Sequence, residues 1–289
     1  MYVDVRSMYR SYGYISNYAL YYTFESILNN FVKSSLWSKL IEYLRHVKGI
    51  SIAGLEIKFS KSLRKLNLFL PRLFNALNDW AKNVNRRAIV VLDEARYLRY
   101  SRINFRSLLA YICDNLSNIT IILTGSEVGL LHDLLKIDDP RSELYGRYLY
   151  EITLKRFTKE QSMDFLIKGF REYGVVPPMD IIEEAVNTFN GIVGWLVFFD
   201  RICIDRGISR DAIRETFTKG MRLVLEELEE LYNRSPRYRH VLEAIAYGYR
   251  KWSEIKRYIV AKELKPIYDS TLHEILLTLQ KMGIIEKRV

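Results

Sequence analysis

The spacing of apolar residues changes along the chain and divides it into three parts. Residues 1–155 mix short apolar runs with helical spacing, and residues 156–233 carry helical spacing alone. Residues 234–289 carry helical patterns followed by a short segment that opens on two isoleucines. Short β-branched runs indicate strands, and apolar residues three and four positions apart indicate helices. The pattern predicts an α/β domain, an all-helical domain and a small terminal domain.

The first part alternates between predicted strands and helices. Strands are predicted at residues 1–6, 88–92, 119–123 and 148–154, helices at 18–45, 71–83 and 104–116, and a small hairpin at 47–59. Strands that alternate with helices favour a parallel sheet. We therefore expect a parallel α/β core.

One strand of this core ends in two carboxylates. Residues 88–92 are five apolar residues, three of them β-branched, and Asp93 and Glu94 follow directly. A run that is apolar at every position predicts a strand buried on both faces of a parallel sheet, and ligands bind at the carboxyl ends of such strands. This is the pattern of a Walker B strand, in which Asp93 holds Mg²⁺ through a water molecule and Glu94 polarises the water that attacks the γ-phosphate. The alternative is a strand followed by a helix with acidic residues in its first turn, which would produce the same sequence pattern.

A second predicted strand ends in hydroxyl groups. Residues 119–123 are followed by Thr124-Gly125-Ser126-Glu127. Beside a Walker B strand, Thr124 or Ser126 is suited to orient the attacking water, as a nucleotide sensor does. A simple turn would also contain glycine and serine. The two strands together favour a nucleotide-type core.

The 289 residues contain no G-x-x-x-x-G-K-[ST] motif. The nearest glycines, Gly49 and Gly54, have the right spacing but are followed by Leu55 and Glu56 rather than by lysine and a hydroxyl residue. Without this loop the sequence shows no backbone cradle for phosphates. The sequence therefore predicts that this polypeptide binds ATP weakly or not at all.

The helical patterns of the last two parts have clear start signals. Thr158 with Gln161 forms a capping box, and Ser235-Pro236 is an N-cap followed by proline at the first helical position. In the last part, three predicted helices precede residues 284–289, which are predicted to form one strand. Three helices and a strand predict a winged helix-turn-helix.

Composition limits the classes of partner. The net charge of +10 favours nucleic acid or phosphate partners, but the basic residues are spread along the chain, so a solvated basic surface explains them equally well. No apolar run is long enough to span a membrane and no secretory signal is present. Cys113 and Cys203 lie in helical patterns, which predicts core thiols in a reducing cytoplasm.

Several motifs, in their order along the chain, resemble the archaeal ATPase family, which are P-loop proteins of the STAND/AAA-like class. They are the runs 90–95, 123–126, 144–147, 190–196 and 252–255. The resemblance implies a P-loop NTPase-like core at residues 1–155, a helical lid at 156–233 and a winged helix at 234–289. In that family the phosphate-binding strand, loop and helix precede a strand that resembles residues 2–6. We therefore expect a truncated or inactive copy that begins just after the nucleotide-binding motif.

The resemblance also assigns roles to residues. Asp93 is expected on the Mg²⁺ side, Glu94 as the catalytic base, Ser126 as a sensor and Arg147 as a γ-phosphate contact. A structural ion pair of Arg147 with a carboxylate such as Glu143 is the alternative. ATP and Mg²⁺ are the cofactors that the family implies.

Three functions from different classes remain open. The first is a nucleotide-dependent switch with a winged-helix output. The second is a nucleic-acid-binding winged-helix protein without hydrolysis, and the third is a protein-interaction module. The exposed face of the third terminal helix carries one lysine and one glutamate, which predicts only weak, non-specific DNA binding. The basic residues available for phosphate contacts are Arg250, Lys251, Lys256, Arg257 and Lys281.

Overall fold

The computed structural model describes residues 1–30, 37–48, 50–53, 56–59 and 69–287 of the chain. These residues form two units. The first contains Met1–Leu149 together with Leu276–Val289, and the second contains Tyr150–Ile275.

The first unit combines strands with helices. Its strands are β1 (Tyr2–Asp4), β2 (Ile50–Ala53), β3 (Glu56–Phe59), β4 (Ala88–Asp93) and β5 (Ile119–Leu123). Its helices are α1 (Val5–Tyr12), α2 (Asn17–Asn30), α3 (Trp37–Arg45), α4 (Phe69–Asn83), α5 (Phe105–Asn115) and α6 (Val128–Leu135), with a 3-10 helix at Ala95–Tyr100. The antiparallel pairing of β2 and β3 confirms the predicted hairpin. The helix predicted over residues 18–45 is present as α2 and α3, and residues 31–36 lie outside the described residues.

Three strands form a parallel sheet in the order β1-β4-β5. The register places Asp4 beside Asp93 and Leu92 beside Leu123. Val90 and Leu92 are buried in the main core of the unit. This arrangement confirms the predicted parallel α/β fold and brings the carboxyl ends of the three strands to one edge.

The prediction that β4 is buried on both faces is wrong. The register puts Tyr2, Ile89 and Ile122 on the face opposite to the buried residues, and these side chains are 57%, 49% and 42% exposed. Helices cover both faces of most parallel sheets. In the part of the chain that the structure describes, only one face of this sheet is covered.

Residues 148–154 do not form the predicted strand. They have no strand partner, and Tyr148 and Leu154 are 85% and 91% exposed. The alternation of apolar and polar residues is present, but a strand also requires a neighbouring strand with which its backbone N–H and C=O groups form hydrogen bonds. Among the described strands, β5 pairs with β4 alone, so the outer edge of β5 is open.

The first predicted strand is shorter than expected. It ends at Asp4, whose side chain accepts a hydrogen bond of 2.8 Å from the backbone N–H of Ser7. This cap starts α1 at Val5, where the sequence predicts a continuing strand.

The second unit is helical. It contains α7 (Lys159–Glu172), α8 (Met179–Phe189), α9 (Val193–Arg206), α10 (Arg210–Arg234), α11 (Pro236–Ala246), α12 (Trp252–Glu263) and the first part of α13 (Asp269–Lys281). The predicted capping box at Thr158 and the cap at Ser235 are confirmed. The strand predicted for residues 284–289 is not formed over 284–287, and residues 288–289 lie outside the described residues.

No helix within the described ranges combines the length and the apolar character that crossing a membrane requires.

Candidate functional site

The carboxyl ends of β4 and β5 bring the predicted carboxylates and hydroxyls together. The hydroxyl of Thr124 donates a hydrogen bond to Asp93 Oδ1. The backbone supports this contact, because Thr124 N–H donates to the carbonyl of Leu92 at 3.1 Å and Ala95 N–H donates to the carbonyl of Thr124 at 2.9 Å. The two strand ends are therefore held side by side.

Asp93 accepts a second hydrogen bond, from the hydroxyl of Tyr2 on the neighbouring strand β1. The bond from Thr124, followed by that from Tyr2, lowers the pKa of Asp93 below its usual value. The same contact raises the pKa of Tyr2 to about 12. Asp93 is therefore a carboxylate at neutral pH, with both oxygens directed to hydroxyl donors.

Glu94 has an unusual backbone conformation, with φ 52° and ψ 44° in the left-handed region. Such angles cost a non-glycine residue of order 1–3 kcal/mol and are concentrated at functional sites. Ser126 Oγ donates to Glu94 Oε1 at 3.2 Å. The structure therefore places all four predicted residues of this site, Asp93, Glu94, Thr124 and Ser126, at one edge of the sheet.

Two further residues that the sequence does not single out complete this cluster. Arg96 Nε lies 3.0 Å from Glu94 Oε2, and the Arg96 guanidinium also pairs with Glu127. The side chains of Arg96, Glu94 and Glu127 are 11%, 17% and 15% exposed. In sequence they are a lone arginine in the turn after Glu94 and a glutamate after Ser126. Only their proximity to the carboxylate pair would have indicated a role.

A cavity of about 340 Å³ opens at the carboxyl end of β1, next to Asp93 in the sheet register. It is lined by Asp4, Arg6, Ser7, Arg10 and Ser11. The Nε atom of Arg6 is buried and has no hydrogen-bond acceptor among the described residues. Two guanidinium groups and two hydroxyls, against the single carboxylate of Asp4, give this cavity the chemistry of an anion site.

Arg147 is not brought to this cluster. Its guanidinium binds the carboxylate of Asp114 through bonds of 2.9 and 2.6 Å and also donates to the carbonyl of Glu143. Asp114 lies in the last turn of α5, which leads from the carboxyl end of β4 to the amino end of β5. Arg147 is therefore held in a structural ion pair, with Asp114 rather than with the Glu143 carboxylate.

The five basic residues predicted to contact DNA differ in their surroundings. The side chains of Arg250, Lys251 and Arg257 are exposed. Lys256 pairs with Asp269 at 2.8 Å, and Lys281 pairs with Asp133 of α6 at 2.7 Å. Lys281 also packs closely on Gly129, where an added Cβ would lie 2.7 Å from the Cα atom of Lys281.

Comparison with known proteins matches both ends of the chain. Residues 7–199 match the ATPase domain predominantly from Archaea, and residues 232–289 match the MCM protein C-terminal winged helix-turn-helix domain. Among solved structures, the Walker-type ATPase paby2304 of Pyrococcus abyssi is 38% identical with a TM-score of 0.80, over 100% of this chain and 79% of that chain. The Aeropyrum pernix ORC2 protein, in ADPNP-ADP complexes, shares the fold with a TM-score of 0.55 at 18% identity, over 75% of this chain and 63% of that chain.

A curated relative extends beyond the matched region. The uncharacterized protein MJECL04 of Methanocaldococcus jannaschii is 24% identical over 233 residues, which are 78% of this chain and 50% of that protein. The chain thus spans about half the length of this relative. The family match over 7–199 and the full-length similarity to the Pyrococcus ATPase confirm the resemblance seen in the sequence motifs. The chain belongs to the family of ATPase domains found predominantly in Archaea and carries a winged-helix module at its C-terminal end.

Proposed function

We propose that the chain is the hydrolytic edge and the output module of a nucleotide-dependent switch ATPase of the STAND/AAA-like class. The observation that carries the proposal is the pairing of Asp93 and Glu94 at the end of β4 with the hydroxyls of Thr124 and Ser126 at the end of β5. In this proposal β4 is the Walker B strand. Thr124 and Ser126 are the sensor residues of the adjacent strand.

The donor set suits Mg²⁺, a hard cation that prefers oxygen ligands and keeps several of its waters. Asp93 is ionised, and Glu94 supplies a second carboxylate beside it, whose Oε2 is ion-paired with Arg96 at 3.0 Å. Nowhere in the described ranges do three or more His, Cys, Asp or Glu side chains cluster as a metal site. Asp93 would therefore hold the ion through water, with phosphate oxygens as further ligands. A bound Mg²⁺ would supply charge neutralisation of the phosphates.

Glu94 is proposed as the base that orients and deprotonates the attacking water, and Ser126 steadies its carboxylate. Thr124 keeps the carboxylate of Asp93 in a fixed orientation. The γ-phosphate contact predicted for Arg147 is not part of this proposal, because its guanidinium is already bound to Asp114 and to the carbonyl of Glu143.

The proposed switch has a route from the carboxylates to the C-terminal helix. Arg96 joins Glu94 to Glu127, and Glu127 precedes the first residue of α6. Helix α6 then contacts Lys281, in the last turn of α13, through Asp133 and Gly129. A ligand that draws Glu94 away from Arg96 would alter the ion pair between Arg96 and Glu127, the residue at the N-terminus of α6. This supports an output through the winged helix.

The first experiment is a calorimetric titration of this chain with ATP and Mg²⁺. The given sequence contains no phosphate-binding motif G-x-x-x-x-G-K-[ST]. In this proposal Asp93 and Glu94 interact with the metal and the attacking water, and not with the phosphates. We therefore expect weak binding or none. A micromolar or tighter Kd would show that the phosphates are held elsewhere, for which Arg6 and Arg10 in the anion-type cavity are the candidates.

The second experiment tests the role of the base. The chain is joined to a phosphate-binding strand, loop and helix of the same family, and steady-state ATP hydrolysis and binding are measured. Glu94→Gln should lower the turnover rate at least about a hundredfold while ATP binding is retained. Asp138→Asn, which removes an exposed carboxylate of the same unit, is the matched control. If Glu94→Gln turned over ATP as fast as the control, Glu94 would not be the base.

A further inference from the structure

Three tyrosine rings gather where α11 meets α12, at a distance in sequence from the proposed catalytic edge. The ring of Tyr258 lies 5.9 Å from that of Tyr247 and 5.7 Å from that of Tyr249, centroid to centroid. Tyr247 and Tyr249 are 72% and 42% exposed. Large aromatic faces in contact with water at one spot are a platform on which other flat rings can stack.

The surroundings of these rings are positively charged. Lys262 lies over the ring of Tyr258, with its Nζ 5.5 Å from the centroid. Arg250 and Lys251 follow Tyr249 directly and are exposed, and no carboxylate occurs in the sequence between Glu243 and Glu254. The cores of protein–protein interfaces are depleted of lysine, whereas nucleic-acid surfaces are rich in lysine and arginine. The charge therefore favours a polyanion over a protein as the ligand.

The nearby carboxylate is already engaged. Glu243 accepts a hydrogen bond of 3.2 Å from the hydroxyl of Tyr258 and pairs with Arg239 at 3.3 Å. Lys262 Nζ also lies 4.0 Å from Glu243 Oε2, so the charge of Glu243 is offset within the cluster. Glu254 accepts hydrogen bonds from the backbone N–H groups of Arg250 and Lys251, and the exposed side chains of these two residues remain available for phosphate groups.

The third helix of the module is a weaker candidate for nucleic acid. Lys281, the lysine on its predicted reading face, is bound to Asp133 through both carboxylate oxygens at 2.9 and 2.7 Å. Glu274 on the same face is exposed and would repel phosphates. By contrast, the turn between α11 and α12 combines exposed tyrosine rings with the exposed side chains of Arg250 and Lys251.

We propose that this turn, formed by Tyr247, Tyr249 and Tyr258 with Arg250, Lys251 and Lys262, binds single-stranded nucleic acid. Tyrosine rings stack on bases only where the bases are free of their own neighbours, as they are in single strands and not inside a duplex. The rings would carry the bases and the cations would follow the backbone. This rests on the winged module alone and does not depend on the nucleotide chemistry proposed above.

The test uses the full chain without nucleotide, with fluorescein-labelled oligonucleotides of about 20 residues, which exceeds the span of about 4–16 nucleotides that a single-strand-binding OB fold covers. Anisotropy titrations compare oligo-dT, oligo-rU and a DNA duplex of equal length, at low and at physiological salt. Both single strands should bind more tightly than the duplex. The two single-strand arms distinguish DNA from RNA as the source of the ligand.

Variants then assign the binding to the rings. Tyr247→Ala should weaken single-strand binding about tenfold, the effect of losing one stacked base, whereas Tyr247→Phe should retain it. Tyr247 is largely exposed, so neither change disturbs the core. Tyr173→Ala, a change of another tyrosine that is 56% exposed outside the winged module, is the matched control and should have no effect.

Three outcomes would overturn the proposal. The first is an absence of oligonucleotide binding even at low salt. The second is equal affinity of wild type and Tyr247→Ala for the single strand. The third is tighter binding of the duplex together with a larger loss in Lys281→Ala, which would place the interface on α13. The calorimetric ATP titration is a separate measurement, so failure of either proposal leaves the other standing.

Discussion

Replacing Arg96 by methionine would remove the guanidinium that lies between Glu94 and Glu127, while the side chain keeps most of its apolar stem. Both carboxylates would then remain close together, largely buried and without their cation. The change tests whether the cluster at the end of β4 and β5 stabilises the fold as the contacts indicate.

The expected size follows from burial and charge. A pair of opposite charges at about 4 Å attracts by about 4 kcal/mol at an effective dielectric constant of about 20. Removing one member of a buried pair costs about 3–5 kcal/mol, because the remaining charge is left without compensation. The three side chains keep 11%, 17% and 15% of their exposure, so water partly screens them. We expect Arg96→Met to lower the free energy of unfolding by about 2–4 kcal/mol.

Urea unfolding followed by circular dichroism measures this loss. The control is Arg141→Met, because Arg141 is 91% exposed and pairs with Asp139 at 3.3 Å. An exposed pair of this kind contributes about 0–1 kcal/mol. A loss for Arg96→Met no larger than that of the control would refute the reasoning.

A double-mutant cycle separates charge from packing. Glu127→Gln alone should destabilise the protein, because it removes one partner of Arg96. In the Arg96→Met background the same change should restore about 1 kcal/mol or more, because it removes a buried charge that has no partner. Equal costs in both backgrounds would mean that the two side chains do not interact.

Three further predictions concern the rest of the chain. Gly191 has φ +72° and a Cβ there would meet the carbonyl oxygen of Phe157, so Gly191→Ala should destabilise the helical unit by about 3 kcal/mol or more. Gly174→Ala, at the same φ but in open space, should cost only about 1–2 kcal/mol in the same urea titration, and equal losses would exclude the clash. Hydrogen bonds from Asn104, then from the backbone and Ser107, lower the pKa of Glu143 from 4.5 to about 2. Its contribution to stability is therefore present above pH 4.5 and is lost as the pH falls toward 2, and Glu143→Gln should flatten the stability profile in that window, which acid titrations at fixed urea would show. Finally, the open edge of β5 should let its outward amides exchange quickly and promote self-association, whereas uniformly slow exchange by mass spectrometry in a monomer by light scattering would contradict this.

Local signals in the sequence predict the helical unit well. Thr158 with Gln161 and Ser235 with Pro236 fix helix starts through contacts within four residues, so no tertiary information is needed. The partners of Arg147 could not be predicted in this way. Asp114 is 33 positions away in sequence, and one carboxylate among many gives no signal of its own.

The candidate site shows the same division. Proximity of Asp93 to Thr124 follows from one rule, that the carboxyl ends of adjacent parallel strands meet at one edge, and the sequence contains both strands in full. Arg96 and Glu127 depend on the path of the turns after each strand. The turn after β4 passes through the left-handed backbone of Glu94, which its residue type does not favour.

The sheet explains why one strand property was predictable and the other was not. Pairing of β4 with β5 depends on their own backbone groups, so two β-branched runs are enough to indicate it. Burial of a sheet face depends on what packs against it, and a strand's sequence records only that its side chains are apolar. Ile89 and Ile122 are as apolar as Val90 and Leu92, yet the former two are about half exposed and the latter two are buried. Ile122 on the exposed face and the outer edge of β5, which has no partner among the described strands, both belong to the strand that leads to Thr124. We therefore expect the stability of the proposed catalytic edge and the predicted self-association to depend on the same strand, β5.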